Sequence, residues 1–545
     1  MSPSRPAARP VAGLILAAAF LLGLASPAAA GDEESLFVYA VSERGVVTIN
    51  GFQAEKLKGS GSGKTGDDFD KNSWWDIAVD GPDRYTIRRD GRVAKNGAKI
   101  KELNDSNPWI AIAATGGTWA AIRKQGRVSQ EGTVVVKYKD GSSIFTDVLI
   151  RDGEIWGLRA DGRVFRGLNE DPVFFFNQSS SGGDDSGKKK RWFSFTVHPI
   201  TNEIYALRRD GEVVKGDPDL LTDDPDGDAS SGEFVVDLPN NDDKSLDKYY
   251  NSIRFTDDGV FWAIRGDGRL YSSVDPTTFL VDFPGKPTSK QDQDYRDLQT
   301  LGMDVYTLRM DGRVYRNTVD SPIINMKKKT WRRMGIGTEF PDTTNVKDYR
   351  PEASLWNIQS TVGDDLEFPI LAVDRDMPAE DLIYTVDETT LPPGSSYDEK
   401  TRSIVWPAAG PAGTYTIVVD VDDGETQTVV TKQKVKLKDP DTDPEKNQKP
   451  LVGKIKKAKG LQGVIYTQPI LVSDPDGDDM TVTLVVPNKG LPDGASYDAE
   501  TGIFTWDVPH VDSLGSNKFT FEVFDGTATT KLKLSVKIQT SLVAF

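Results

Sequence analysis

Cysteine is absent from the chain. That excludes disulfides, a thiol nucleophile and cysteine-held zinc, so each domain must be held by core burial alone. Histidine is nearly absent too. His198 and His510 are the two, far apart in sequence, and they read as surface or loop residues rather than a catalytic pair. No G-x-S-x-G elbow, P-loop or H-E-x-x-H helix occurs. Helical periodicity is scarce, and beyond the N-terminus no apolar run is long enough to cross a bilayer. Positive charge is in deficit: the formal net charge is −17. A chain this acidic is not a nucleic-acid binder on electrostatic grounds.

The first thing present is an export signal. Arg5 and Arg9 precede an apolar run from Val11 to Leu24, followed by Ala28-Ala29-Ala30. Residues 1–30 therefore read as a cleaved signal peptide, too short for a transmembrane anchor, and with no cysteine to carry a lipid. Loss of Arg5 and Arg9 takes the formal charge from −17 to −19. The expected location is secreted, periplasmic or cell-surface.

The rest of the chain is organised by repetition. Ile155-Trp156-Gly157-Leu158-Arg159-Ala160-Asp161-Gly162-Arg163-Val164 recurs around Tyr85, Tyr205, Trp262 and Tyr306, with looser copies at Trp119 and Phe37. Each copy is two alternating apolar runs joined by a glycine turn, usually Asp-Gly, which predicts a type I′ hairpin with both central residues at positive φ. The turn glycines are Gly45, Gly91, Gly126, Gly162, Gly211, Gly268 and Gly312, at gaps of 46, 35, 36, 49, 57 and 44 residues. Strands alone at such a period predict a β-propeller with about one four-stranded blade per repeat. The two widest gaps hold polar inserts, Ser179–Lys190 and Asp217–Gly232, which read as surface loops.

An aromatic leader precedes each hairpin: Trp75, Trp109, Phe145, Trp192, Tyr250, Tyr295 and Trp331. Trp331 has no hairpin after it, and the hairpin at Phe37 has no leader before it. The count of seven closes only if those two segments share a blade, which also removes the exposed sheet edge. Within each hairpin the aromatic and the next Ile or Leu stand two apart, on one strand face, which reads as core. The small residue between them, such as Thr86, Gly157, Ala206, Ala263 or Thr307, lets the neighbouring blade approach. The many carboxylates sit mostly in turns, where Asp accepts a backbone hydrogen bond.

The phrase W-x-[IL]-x-x-D-G-x-[VL]-[YF] with its leader strand resembles tectonin repeats and, more distantly, tachylectin-type propellers. The resemblance covers about residues 33–340, within a propeller expected over 31–345, and implies binding of surface glycans or lipopolysaccharide. The chain departs from the tectonin phrase by placing an arginine three residues before the turn glycine in six of the seven copies. These are Arg88, Arg123, Arg159, Arg208, Arg265 and Arg309; Ser42 takes the seventh place. Equivalent positions in repeated blades form a circle. Two readings are open for it: an anion-binding ring, or six arginines each paired with an acid of its own or the next blade.

After about Tyr349 two segments match each other at an offset of 100 residues. Leu391-Pro392-Pro393-Gly394-Ser395-Ser396-Tyr397-Asp398 pairs with Leu491-Pro492-Asp493-Gly494-Ala495-Ser496-Tyr497-Asp498, and Trp406 with Trp506. Short strands between turn signals predict two β-sandwiches, 349–439 and 450–545, joined by a stiff polar linker at 440–449. The signature L-P-x-G-x-S-Y-D-x-x-T-x-x-[IF]-x-W is complete in both copies and resembles bacterial Ig-like domains of the dystroglycan-type cadherin-like group. That resemblance implies extracellular placement, adhesion to other cell-surface proteins, and Ca2+ held by Asp374, Asp376 and Asp423 in the first copy and Asp474, Asp476 and Asp525 in the second. The second copy carries Asp474-Pro475-Asp476-Gly477-Asp478-Asp479; the first reads Asp374-Arg375-Asp376-Met377-Pro378, with an arginine and no glycine.

The expectation is therefore an all-β, exported binding or adhesion protein: a seven-bladed propeller followed by two Ig-like or cadherin-like sandwiches, with no catalytic residues. Two other classes stay open, a polysaccharide-acting enzyme on a propeller scaffold and a structural envelope component.

Overall fold

In the computed structural model the described residues are 36–57, 73–103, 108–138, 144–170, 172–176, 191–216, 233–239, 249–282, 295–317, 319, 322–326, 331–339, 341–342, 346, 348–424, 428–441, 446–509 and 513–542. Residues 1–30, read above as a signal peptide, both polar inserts and His510 lie outside them. Glu34–Lys347 forms one compact unit and Asp348–Phe545 another.

The first unit contains seven four-stranded antiparallel sheets. Numbered as blades around the ring, their innermost strands are Trp331–Gly337, Trp74–Asp80, Trp109–Thr115, Phe145–Arg151, Trp192–Val197, Tyr250–Phe255 and Tyr295–Leu301. Blade 1 is composite. Its innermost strand comes from the end of the unit and pairs with Phe37–Ser42 from the beginning, in the register Phe37↔Gly337 to Ser42↔Trp331. The ring is closed by strand pairing, with no free inner edge at the seam.

The apolar clusters lie between blades rather than within them. One joins Val38, Ala40 and Met334 of blade 1 to Tyr306, Leu308 and Val314 of blade 7; another joins Ile122 and Tyr138 of blade 3 to Phe145 and Phe165 of blade 4. Small residues on the facing strands make room for this. At Gly157 an added Cβ would lie 3.0 Å from both Ile122 and Tyr138 of the preceding blade.

The repeated turn explains the repeated residues. Its glycine sits at positive φ, +96° at Gly162 for example, and faces the first aromatic of the next blade. A Cβ would approach the ring to 2.6 Å at Gly45 (Trp74), 2.7 Å at Gly91 (Trp109) and 2.6 Å at Gly312 (Trp331). The carbonyl of the residue two before that glycine accepts the N–H of that same aromatic. The bonds run from Trp74 to Glu43, Trp109 to Arg89, Phe145 to Lys124, Trp192 to Ala160, Tyr250 to Arg209, Tyr295 to Gly266 and Trp331 to Met310, all at 2.9–3.1 Å. One backbone bond therefore crosses every blade boundary at the same level.

The turn type differs from the expectation. Asp90 is not at positive φ, and the loop between Arg88 and Arg92 has three residues, closed by Gly91 N–H to Arg88 C=O at 2.8 Å. This is a type I turn followed by a left-handed glycine, the three-residue hairpin loop. Two-residue turns with both residues at positive φ lie elsewhere, among them Asn50-Gly51, Asn96-Gly97 and Glu131-Gly132. These three join the third and fourth strands of blades 1 to 3.

The leader of blade 2 is also corrected. Trp74, not Trp75, pairs with Arg88, as Trp109 pairs with Arg123; Trp75 is the extra residue of a β-bulge before Asp76↔Ile87. The same bulge recurs in all seven inner strands, at Arg332, Trp75, Ile110, Thr146, Phe193, Asn251 and Arg296.

In the second unit each 100-residue copy folds as a sandwich. In the first, Leu355–Thr361 pairs in parallel with Thr428–Lys438, and Gly413–Asp422 and Ile383–Val386 complete that sheet. The facing sheet is Leu366–Pro369, Ser403–Trp406 and Ser396–Asp398. The second copy repeats the arrangement, and Trp406 and Trp506 occupy equivalent places in the two cores. The copies are tied more closely than a linker requires. Lys454–Lys456 adds as an edge strand to the first sandwich's sheet, and the Thr361 and Ser473 hydroxyls bond at 2.7 Å.

Two predictions follow from the propeller. Deleting residues 36–50 removes Phe37, Val38, Tyr39, Val41, Val46, Val47 and Ile49, all buried. At roughly 1.5–3 kcal/mol each, the loss exceeds the roughly 5–15 kcal/mol that holds a domain, so the truncated propeller should not fold. A truncated chain that keeps the parent's thermal melt would overturn the closed ring. The second concerns the turn clasp. Arg159 donates to both oxygens of Asp161 at 2.9 and 2.7 Å. Burial raises the Asp161 carboxyl, but Arg159 and Arg163 outweigh it and hold it below its ordinary value. Its stabilisation is therefore present above the unfolded carboxylate range and lost as pH falls through the folded value. Asp161→Ala should cost roughly 3–5 kcal/mol, as for a buried charge deprived of its partner. Urea midpoints measured from pH 7 to pH 3 should also converge on the parent's; an unchanged midpoint at pH 7 would count against the clasp.

Candidate metal centres and the arginine ring

In the first sandwich Asp374 follows the strand Ala372–Val373 and is 1% exposed. Its Oδ1 accepts the Asp376 N–H at 3.0 Å, while its Oδ2 is buried with no hydrogen-bond partner. Asp376 in turn accepts the Tyr349 N–H, at 3.0 Å to Oδ2. Burial, then the adjoining Asp374, pushes the Asp376 carboxyl up to about 8, with Asp348 adding to the rise. Asp423 is buried just beyond the strand Gly413–Asp422.

The second sandwich repeats this geometry with more acid. Asp474 Oδ1 accepts the Asp476 N–H at 2.9 Å. Asp474 Oδ2 and Asp476 Oδ1 are both buried without a hydrogen-bond partner. Carboxylate oxygens of Asp474, Asp476 and Asp478 all lie within 4.8 Å of one another. Burial raises the Asp474 carboxyl, and Asp476 and Asp478 raise it further. Asp525 binds the Thr527 and Ala528 N–H groups through Oδ1, and the Asn447 side-chain amide through Oδ2 at 3.1 Å. The next residue, Gln448, donates its N–H to Asp476. One short segment thus bridges Asp525 and Asp476.

That entry segment escaped the sequence reading, and Asp478, though part of the acidic motif, was not named among the ligands. The signal was present: Asp348-Tyr349-Arg350-Pro351 matches Asn447-Gln448-Lys449-Pro450, and both copies dock the second residue's N–H on the second Asp of the D-x-D pair. The arginine that interrupts the first motif has its own task. Arg375 donates to Thr540 of the second sandwich, at 3.0 Å to the carbonyl and 2.8 Å to the hydroxyl.

These donors are all oxygen, and buried carboxylate oxygens are left without a bond. Such a set fits a hard divalent cation, calcium above all, and does not suit zinc or copper.

The arginine ring is not an anion surface. Arg88, Arg123, Arg159, Arg208, Arg265 and Arg309 are 1–7% exposed. Five of them hold the Asp two residues on, for instance Arg88 Nε to Asp90 at 2.7 Å, Arg208 to Asp210 at 2.7 Å, Arg265 to Asp267 at 2.8 Å and Arg309 to Asp311 at 2.8 Å. In blade 3 Gln125 stands in the Asp position beside Arg123. Of the two readings, the in-blade pairing is the one the geometry takes. The aspartate serves both the arginine and the turn, accepting the Arg163 N–H at 3.3 Å in blade 4. His198 is likewise structural: its Nδ1 accepts the Ile200 and Thr201 N–H groups, both at 3.1 Å.

The inner strands carry a second charged system. Arg333 of blade 1 lies 3.3 Å from Asp297 of blade 7 and 3.9 Å from Asp76 of blade 2. Burial lowers the Arg333 guanidinium, but Asp297, Asp76 and Asp147 outweigh it and hold it above its ordinary value. The carboxylates also stitch blade to blade. Asp76 accepts the Ile112 N–H at 3.0 Å, Asp147 the Phe195 N–H at 3.3 Å and Asp297 the Met334 N–H at 3.0 Å. Burial pushes the Asp76 carboxyl up to about 6 despite Arg333.

Among known proteins, residues 352–437 and 449–540 match the family model described as "Putative Ig domain". No curated protein matches the chain. Solved structures similar to it include the computationally designed Ika8 protein, 12% identical over 55% of this chain and 87% of that one, with a TM-score of 0.36. The WD40 β-propeller domain of Doa1 is 11% identical over 52% of this chain and 90% of that one, TM-score 0.36. The β-propeller domain of Cps50 (Swd1) from Myceliophteria thermophila is 11% identical over 52% and 96%, TM-score 0.36. The strand pairing itself makes the first unit a seven-bladed propeller, and the family match makes the second a pair of Ig-like domains.

Proposed function

We propose that the chain is an exported, non-catalytic binding protein in which the propeller recognises surface glycan and the paired Ig-like domains form a calcium-stiffened spacer. The observation that carries the spacer half is the set of buried carboxylate oxygens left unbonded: Asp374 Oδ2 and Asp474 Oδ2 at equivalent places in the two sandwiches, with Asp476 Oδ1 added in the second. An unbonded buried carboxylate is costly, and a cation is the partner that relieves several at once. In the second sandwich Asp474, Asp476, Asp478 and Asp525 would hold the ion; in the first, Asp374, Asp376 and Asp423, with Asp348 nearby. Bound there, calcium supplies charge neutralisation and a rigid join between the entry segment and the sandwich. The glycan half is supported by the tectonin-like phrase and the closed ring. The export signal at residues 1–30 and the Ig-like pair favour a place outside the cell.

Calorimetric titration of the full chain should show saturable calcium binding. At about a hundredfold excess over Kd, calcium should stabilise the sandwiches by roughly 2.7 kcal/mol, and Asp476→Ala should remove most of that gain. A melt unchanged by millimolar calcium would overturn the spacer reading. On a glycan array, the calcium-loaded full chain should retain defined saccharides; turnover of a polysaccharide would put the enzyme reading in its place.

A further inference from the structure

The bulges of the inner strands lie at one end of the ring those strands form, one mouth of the propeller's central channel, beside the turns that carry the blade-crossing bonds. Bulges of this kind recur next to functional sites because they turn a side chain out of the pleat. Here they present Arg332, Trp75, Phe193 and Arg296, joined by Arg89 and Arg209 from the turns. The channel is narrow at this level. The Arg333 guanidinium of blade 1 lies 5.9 Å from the Phe193 ring of blade 5, across the axis.

Three of the guanidinium groups are stacked on rings. Arg89 lies 3.5 Å from the Trp75 ring, and Arg332 4.8 Å from it. Arg209 lies 4.0 Å from the Phe193 ring and 5.7 Å from that of Tyr249. Stacking engages the flat face of a guanidinium and leaves its N–H edge to donate. Arg332 has Glu43 as an ion-pair partner, and Arg333 is held by its carboxylates. Arg209 has neither: among the described residues no carboxylate pairs with it, and its Nε is buried with no hydrogen-bond partner. Burial, then Arg296, Arg191 and Arg333, lowers the Arg209 guanidinium to about 10; burial and Arg333 do the same to Arg332. Both stay charged at neutral pH.

We propose that this mouth, with Arg209 and Arg332 as its forks and Phe193 and Trp75 as their platforms, is an oxyanion site that takes the carboxylate, sulfate or phosphate group of an acidic glycan. A trigonal or tetrahedral oxyanion matches the planar fork of a guanidinium. It also supplies the counter-charge that the fold withholds from Arg209. The inference rests on the reading of the propeller as a glycan binder and names the group recognised.

The test titrates the full chain with inorganic sulfate and, separately, with a glucuronate oligosaccharide at low ionic strength. Both should bind saturably. Arg209→Gln should weaken both by roughly tenfold or more, the loss expected of one charge-assisted hydrogen bond. Its melting temperature should equal or exceed the parent's, because the change removes a repelled charge; a merely structural arginine would lower it. Arg209→Lys, which keeps the charge and loses the fork, should bind with intermediate strength. Oligosaccharide binding unchanged in Arg209→Gln would overturn the site and leave the binder reading intact. Sulfate binding lost in Arg209→Gln, with no acidic oligosaccharide retained by the parent, would overturn the glycan reading and the ligand class together. Sulfate no more effective than chloride at equal ionic strength would overturn the oxyanion site itself.

Discussion

The propeller depends on one contact made again at each blade boundary: a turn glycine seated against the first aromatic ring of the next blade. The glycine is required twice over. Its φ is positive, and at Gly45, Gly91, Gly126, Gly162 and Gly312 a Cβ would come within 2.6–2.7 Å of an atom of the next blade's aromatic ring. A methyl group there would push two blades apart, and in a closed ring the displacement has nowhere to go. The ring matters for its area rather than its polarity. Phe145, Tyr250 and Tyr295 fill the place in three blades, and where a tryptophan fills it the indole N–H of Trp74, Trp109, Trp192 and Trp331 is buried with no hydrogen-bond partner. An orphaned donor costs roughly 1–3 kcal/mol, so the packing of the larger ring must exceed that for tryptophan to serve at all.

This contact is what made the fold legible. A glycine and an aromatic fixed by mutual contact recur wherever the blade recurs, whatever the inserts between them, so blade number and the sharing of blade 1 between the two ends could be counted from residues alone. The misreadings have equally local causes. Asp-Gly specifies a two-residue turn only when those residues are the whole loop. Here Arg88 is held at the strand end opposite Trp74, which leaves Arg89 inside the loop as well. The pair Trp74-Trp75 could not be resolved by spacing, since a bulge absorbs one residue without shifting the repeat. For five of the six repeated arginines the charge is met by an aspartate two residues away, a pairing the motif contained in plain view.

In the sandwiches the offset of 100 residues exposed the strands, the core tryptophans and the D-x-D pairs because all are side-chain signals. The entry segment was missed because it acts through backbone N–H groups of Tyr349 and Gln448, which any residue but proline could supply. Arg375 looked like damage to an acidic motif. It is instead part of the tie between the two sandwiches, and its cost to the first acidic cluster is offset by the Thr540 bonds.

The net charge of the chain says little about the axis of the propeller. At physiological salt the Debye length is about 8 Å, so a guanidinium responds to groups within a few contacts and hardly at all to the total. Arg333, with Asp297 and Asp76 in contact, is pushed up; Arg209, with Arg296 and Arg191 as neighbours, is pushed down. The two differ in charge balance, though both sit among inner-strand residues of one ring. A fold that supplies carboxylates to one buried arginine and ring faces to another has separated two tasks. The first arginine holds blades together. The second is kept charged and stacked on ring faces with its buried Nε unbonded, a state that costs the free protein stability and that the proposed oxyanion relieves.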